Sequence, residues 1–203
     1  MLTVYGKQLS RTARCLWLLE EMGLTYRQVP VNTQNGENRR PEFLKLNPSA
    51  KVPVIDDQGF VLRESLAINF YLVAKAATPL WPASVQTQAY IHQWSSWSVS
   101  ELEVPLNVIF RAKRRAGATG TEADPALIAD NIEIASKTLQ LLEDHLSSHA
   151  HMAHDSFTLG DINTYTAAML APMFVDMSDF PSIGEWMTRC SARPAWQRVT
   201  ALP

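Results

Sequence analysis

The sequence predicts an α/β domain followed by an all-helical domain. Three observations carry this. Strand and helix patterns alternate through the first third of the chain, only helical apolar periodicity appears after residue 77, and the proline-containing segment "TPLWPASV" joins the two stretches. The boundaries that follow are 1–77 for the first domain, 78–87 for a linker and 88–203 for the second domain.

In the first domain "LTVY" reads as a short apolar strand. "SRTARCLWLLEEMG" is helical, with Cys15, Leu16, Leu18, Leu19 and Met22 on a broad apolar arc, Arg14 and Glu21 opposite, and Gly23 where a left-handed cap belongs. "TYRQVPV" is a strand confined to a sheet edge, because Pro30 has no N–H for a ladder. "VPVI" and "FVLR" flank Asp57, Gln58 and Gly59 as a hairpin, with glycine supplying positive φ. "SLAINFYLVAKAA" is the next helix, and the order reads strand, helix, strand, helix, strand, strand, helix. In the second domain helices are predicted over 88–117 with a kink at Pro105, 123–148, 158–173, 182–191, and briefly after Pro194.

Composition narrows the function. A chain of 203 residues, 46% hydrophobic and 19% charged, can bury a full core. A net charge of −2 gives no field to attract nucleic acid or an anionic membrane. No apolar run approaches the roughly 18 residues of a spanning helix. The N-terminus enters strand and helix pattern with no targeting signature, and Cys15 and Cys190 are too few for a disulfide framework, so a cytoplasmic protein is expected.

The stretch "NPSAKVPVIDDQGFVLRES" raises a chemical question. Pro53 at a strand start makes Val52–Pro53 a candidate cis peptide, with the Val52 backbone N–H and C=O turned outward to pair with a peptide-like ligand. Glu64 and Ser65 open the following helix, where free N–H groups favour a carboxylate while the Glu64 side chain favours an ammonium. Together they suit an α-amino acid head group. Singly, Pro53 is explained by strand initiation and Ser65 by helix capping; the conjunction at this spacing points to a ligand.

The motifs "NPSAKVPVI", "ESLAINFYL", "PLWP", "FTLGDI" and "RPAWQRV", in this order across nearly the whole chain, resemble the cytosolic glutathione transferase family, in its serine-type (theta-like or bacterial) branch. The resemblance implies a thioredoxin-like N-terminal domain that binds glutathione, a helical C-terminal domain that supplies the electrophile pocket and part of a dimer interface, and a homodimer. It also implies that Val52, before a cis Pro53, pairs with the cysteinyl part of glutathione, that Glu64 and Ser65 hold the γ-glutamyl head, and that Lys51, with Arg40 as a further candidate, lies near the glycine carboxylate. No metal is implied.

The chemistry then turns on the thiol. A thiol of pKa near 8.5 is only about 3% thiolate at pH 7, and lowering it by two units takes about 2.7 kcal/mol. A hydroxyl hydrogen bond to a charged group supplies roughly 1.5–3 kcal/mol and a helix N-terminus roughly 0.3–1. Ser10 stands at the start of the first helix, four residues before Arg14, and by this resemblance stabilises the thiolate; on sequence grounds alone it is an N-cap. Three neighbours compete for the role. Tyr5 resembles the position used by tyrosine-type members, Thr12 lies within a turn of Ser10, and Cys15 sits on the apolar face.

The remaining features read as structural. His145, His149, His151 and His154 with Asp144 and Asp155 offer metal-ligand chemistry but fall at a helix end and in a loop. "RAKRR" at 111–115 is a solvated run near a helix C-terminus. Thr158 and Asp161 form a capping box, with Phe157 and Ile162 as its staple. Trp97, Leu102, Phe110 and Tyr165 are pocket candidates that helical spacing equally assigns to core. Ala50 stands where some serine-type members carry a histidine. The predicted function is conjugation of glutathione to a small hydrophobic electrophile, with peroxide reduction by the same thiolate as a further reaction. The alternative is a non-catalytic relative that binds protein partners.

Overall fold

Strand β1 (Leu2–Tyr5) runs parallel to β2 (Tyr26–Val29), because helix α1 (Thr12–Glu21) carries the chain back between them. On its other side β1 pairs antiparallel with β3 (Val54–Asp57), Tyr5 opposite Val54, and β3 pairs with β4 (Phe60–Arg63), Val54 opposite Arg63. The order is β2-β1-β3-β4, and β2 is an edge strand that stops one residue before Pro30. The β3–β4 turn uses positive φ at both Gln58 (57°) and Gly59 (93°), the twist a two-residue hairpin requires. These coordinates form a computed structural model that describes residues 1–8, 10–153 and 156–202.

Helix α1 packs against β1 and α3 (Ser65–Lys75), and Cys15 through Leu19 are wholly buried. The polar side assigned to Arg14 by periodicity is not exposed: Arg14 is 1% accessible, because α1 is covered on more than one side and the guanidinium is spent on an internal hydrogen bond. The helix expected between β2 and β3 is α2 (Pro41–Leu46), preceded by a 3₁₀ turn at Glu37–Arg39. The hairpin is tied to α3 by Asp57, which accepts from Tyr71 Oη at 2.7 Å and pairs with Lys75. Those two donors hold its carboxyl below the usual carboxylate range.

The chain divides into two units, Met1–Pro82 together with the segment from Ser191 onward, and Ala83–Cys190. This differs from the sequence boundaries. Helix α9 (Pro194–Thr200) returns to α1, where Trp196 meets Trp17 with ring centroids 4.8 Å apart and Arg193 forms a two-pronged pair with Glu21 at 2.6 and 2.8 Å. A helical period identifies such a segment but cannot say which core it joins.

The second unit contains α4 (Val85–Trp97), α5 (Glu103–Thr119), α6 (Pro125–Leu146), α7 (Leu159–Ala168) and α8 (Pro181–Ser191). The helix expected over 88–117 is interrupted by a π turn at Ser98–Leu102. Pro105 cannot donate to the carbonyl four residues before it, and the ladder widens one turn upstream of the proline. Helix α7 is the core of this unit, with Ile162, Asn163, Thr164 and Ala167 fully buried and Asn163 Nδ2 donating to Ser95 Oγ at 2.9 Å. Among the described residues, no helix is long and apolar enough to cross a membrane.

Candidate active site

The sheet register brings the predicted residues of the first unit to one end. Tyr5, Val54 and Arg63 are consecutive partners across β1, β3 and β4. The segments just beyond them are therefore neighbours: Gly6 to Gln8 and Ser10 after β1, Lys51–Pro53 before β3, and Glu64–Ser65 after β4. No single element holds all of these residues; the end of the sheet does.

The turn before β3 is built by side-chain amides. Asn47, 2% exposed, accepts from Ser49 N–H at 3.1 Å and Ser49 Oγ at 2.7 Å, and donates from Nδ2 to the Lys51 carbonyl at 2.7 Å. Asn38 donates to the Ala50 carbonyl at 2.6 Å. These bonds end at Lys51. The Val52 N–H and C=O take no part in them, and Val52–Pro53 is cis. Below the turn Val31, Phe43 and Val54 form an apolar cluster that Tyr5, Leu46 and Val52 cover. Lys51 and Arg40 are exposed, and Pro53 is buried. Neither asparagine is among the residues the sequence predicts for the site. Asn47 had a signal, since Asn-Pro-Ser favours an Asx turn; Asn38 had none.

Ser10 lies just before α1, half-buried. Its Oγ accepts from Thr12 N–H at 3.2 Å, and its one proton has two acceptors in reach, the Lys7 carbonyl at 2.7 Å and Thr12 Oγ1 at 2.8 Å. The N-cap position itself falls on Arg11, one residue later than the sequence places it, and has no side-chain cap; Ser10 instead closes a local turn ahead of the helix and keeps a hydroxyl whose proton can be redirected. Thr12 is fully buried against Gly6: a Cβ added at Gly6, whose φ is 137°, would come within 2.1 Å of Thr12 Oγ1. Tyr5 packs edge-on to Phe43, centroids 6.5 Å apart. Cys15 is buried with Sγ 3.6 Å from the Ser65 carbonyl, and burial pushes its thiol up to about 12. At that pKa it is no nucleophile near neutrality.

Arg14 Nη1 donates to Ser65 Oγ at 2.9 Å inside the protein, fastening the Ser10 end of α1 to the start of α3. Asn69 Nδ2 reinforces this by donating to the Arg14 carbonyl at 3.2 Å. Glu64, exposed, holds φ 68° and ψ 116°, a conformation that L residues adopt only at a cost of about 1–3 kcal/mol. Its backbone is set by the turn from β4 into α3, and its carboxylate stands free of the helix it precedes.

The second unit holds the other chemistry-bearing groups. The capping box at Thr158 and Asp161 is present. Asp161 does more than cap, accepting also from Trp186 Nε1 at 2.9 Å, Met152 N–H at 3.1 Å and His151 Nδ1 at 3.1 Å. Among the described residues no set of three or more His, Cys, Asp or Glu side chains is arranged to hold a metal; His154 and Asp155 lie outside those residues. The His145 and His149 rings stack with centroids 4.4 Å apart, beside Trp94, at a cavity of about 540 Å³ that Tyr90 and His151 also line. Leu102 and Tyr165 are core residues, while Trp97 and Phe110 are half-buried.

Burial and the neighbouring His149 hold the His145 imidazole below its ordinary value, against the opposing pull of the His151 and Met152 backbone and of Asp161. Above about pH 6.5 both folded and unfolded states carry a neutral ring there; as pH falls through that value the unfolded chain takes up a proton that the folded chain does not, and stability declines. His145→Gln is therefore expected to lose less melting temperature than the wild type between pH 7 and pH 5. Equal losses in a thermal-melt series across that range would assign the acid sensitivity elsewhere.

Comparison with known proteins shows the family of the chain. Residues 1–74 match the family model described as Glutathione S-transferase, N-terminal domain, and residues 102–194 match Glutathione S-transferase, C-terminal domain. Glutathione S-transferase 4 of Zea mays is 31% identical over 201 residues, spanning 97% of this chain and 90% of that protein. Glutathione transferase F7 from Populus trichocarpa superposes with a TM-score of 0.86 at 27% identity, over 98% of each chain. A glutathione S-transferase-I bound with lactoylglutathione superposes with a TM-score of 0.86 at 27% identity, over 100% of this chain and 99% of that one.

Proposed function

The chain belongs to the glutathione S-transferase family, and on that premise we propose that it binds glutathione across the sheet end described above and activates its thiol for attack on a small hydrophobic electrophile. Val52 pairs its backbone N–H and C=O with the cysteinyl part, Glu64 and Ser65 receive the γ-glutamyl head, and Lys51, with Arg40 as a further candidate, faces the glycine carboxylate. The observation that carries the reading is the buried Arg14–Ser65 hydrogen bond at 2.9 Å, which links the Ser10 turn to the Glu64–Ser65 corner. A packing scaffold has no need to join a half-buried hydroxyl to an exposed acid in a strained conformation.

Ser10 supplies the thiolate-stabilising hydrogen bond. Turning its proton to a sulfur anion gives up a neutral bond worth roughly 0.5–1.5 kcal/mol for a charged one worth roughly 1.5–3, a net of about one pKa unit. The N-terminus of α1 adds a few tenths of a kcal/mol up to about 1 kcal/mol. The serine-type placement therefore rests on Ser10 and Arg14. The curated relatives in maize, Arabidopsis, rice and wheat carry plant enzyme names, and none marks a theta-like branch.

Retention on immobilised glutathione, followed by turnover of a panel of electrophiles, tests the reading; neither retention nor turnover would favour a partner-binding module. Within the site, Glu64→Gln and Ser65→Ala are each expected to weaken glutathione binding by about 1.5–3 kcal/mol, the worth of a charge-assisted contact; the exposed Glu64 change should leave the fold intact, whereas Ser65→Ala also removes the acceptor of the buried Arg14 and is read alongside its thermal melt. Calorimetric titration reads this directly, and undiminished affinity in both variants would remove these residues from the site. The same reading carries a homodimer, the commonest closed assembly. Light scattering should give twice the 22.7 kDa chain mass, and the chain mass alone at micromolar concentration would reject it.

A further inference from the structure

Asn38 sits in the 3₁₀ turn Glu37–Arg39, 8% exposed, between the exposed residues 33–35 and the exposed arginines Arg39 and Arg40. A polar side chain buried in so short a turn needs a reason. Its Nδ2 is spent on the Ala50 carbonyl at 2.6 Å, twelve residues away, and among the described residues its Oδ1 has no hydrogen-bond partner. Burying an unpaired amide oxygen is unfavourable, so the bond that Nδ2 makes is retained at a cost.

What that bond holds is unusual. Ala50 has φ 54°, the left-handed region that a residue with a Cβ enters only under constraint. The Asn47 bonds to Ser49 and Lys51, and the Ala50 N–H bond to the Asn47 carbonyl at 2.9 Å, lie wholly within residues 47–51. They give the turn its shape but do not fix it to the rest of the domain. The Asn38 bond does, at the residue before Lys51 and two before Val52.

We propose that Asn38 is a positioning residue for glutathione binding: its carboxamide anchors Ala50 in the left-handed conformation and so sets the direction in which Lys51 and the Val52 backbone are presented. This rests on the glutathione reading above. It assigns Asn38 to ground-state binding of the peptide and leaves the thiol chemistry at Ser10 untouched, which separates it from a residue that merely holds the fold.

The test is calorimetric titration with glutathione, paired with the pH dependence of bound-thiolate absorbance, for wild type, Asn38→Ala, Asn38→Asp, Ala50→Gly and the Asn38→Ala/Ala50→Gly double variant. Asn38→Ala is expected to weaken binding about tenfold, the scale of one buried hydrogen bond, with the bound-thiol pKa unchanged. Asn38→Asp, which has size but no donor when ionised, should weaken it at least as much. Ala50→Gly alone should bind like the wild type, and in the double variant it should restore affinity to within about threefold, because glycine adopts positive φ with no Cβ penalty. If Asn38→Ala does not fold, Asn38→Ser takes its place with the same expectations. Unchanged affinity in the Asn38 variants, a thiol pKa that moves with affinity, or no recovery in the double variant overturns the inference while leaving glutathione binding intact. A wild type that does not bind glutathione overturns the reading beneath it as well.

Discussion

Asp161→Ala should be the most destabilising single change in the second unit, removing about 4 kcal/mol or more of folding stability. Its carboxylate, wholly buried, receives Trp186 Nε1, Met152 N–H and Thr158 N–H at 2.9–3.1 Å. Truncation leaves these donors buried without an acceptor, at about 1–3 kcal/mol each. The capping interaction at the start of α7 is lost as well, and that is typically worth about 1 kcal/mol. Against a total of about 5–15 kcal/mol for an ordinary domain, this brings the protein close to unfolding at 37 °C. Urea denaturation checks it: the midpoint should fall sharply with little change in slope. Asp161→Asn, which keeps one acceptor oxygen, should fall between alanine and wild type. A midpoint within experimental scatter of the wild type in Asp161→Ala would show that Asp161 is not the hub of α7.

Ser10→Ala is the second large effect, and it falls on chemistry. With the hydroxyl gone the bound thiol loses about one pKa unit of stabilisation, so at pH 7 the thiolate fraction and the turnover drop roughly fivefold. Glutathione affinity changes little, since the neutral thiol and the remainder of the tripeptide keep their contacts. The structure adds a cost to be separated from the chemistry: Thr12 is buried and its N–H loses the Ser10 Oγ acceptor 3.2 Å away, so a thermal melt of the variant accompanies the kinetics. Saturation kinetics in glutathione distinguish the outcomes. A fall in kcat with unchanged KM supports the assignment, and a raised KM with unchanged kcat would make Ser10 a binding or capping residue.

The parts of this protein legible from its sequence are those fixed by local chemistry. The capping box at Thr158 and Asp161, the left-handed cap at Gly23, the Gly59 hairpin and the edge placement of β2 before Pro30 each follow from what one or two residues permit. Elements whose stability comes from elsewhere were harder to see. The order of elements predicts a helix between β2 and β3, but α2 at six residues and the 3₁₀ turn before it at three are too short for a period to fix their bounds. Arg14 was assigned to a polar helix face because periodicity assumes that a charge seeks water, whereas this guanidinium is held by Ser65 from a helix 51 positions away. Helix α9 was grouped with its sequence neighbours because an amphipathic pattern carries no label for its partner. In the candidate site, Val52, Pro53, Glu64 and Ser65 were found as a spaced motif; Asn38 was not, since its role exists only once the chain folds back on Ala50.

The central claim is that Ser10, and not Tyr5, sets the ionisation of the bound thiol. Thiolate absorbance of glutathione bound to wild type, Ser10→Ala and Tyr5→Phe, followed against pH, tests it most directly. The curve should be displaced upward by about one unit in Ser10→Ala and essentially unmoved in Tyr5→Phe, whose ring is committed to Phe43. A shift in Tyr5→Phe with none in Ser10→Ala would contradict the account and place the protein with tyrosine-type transferases.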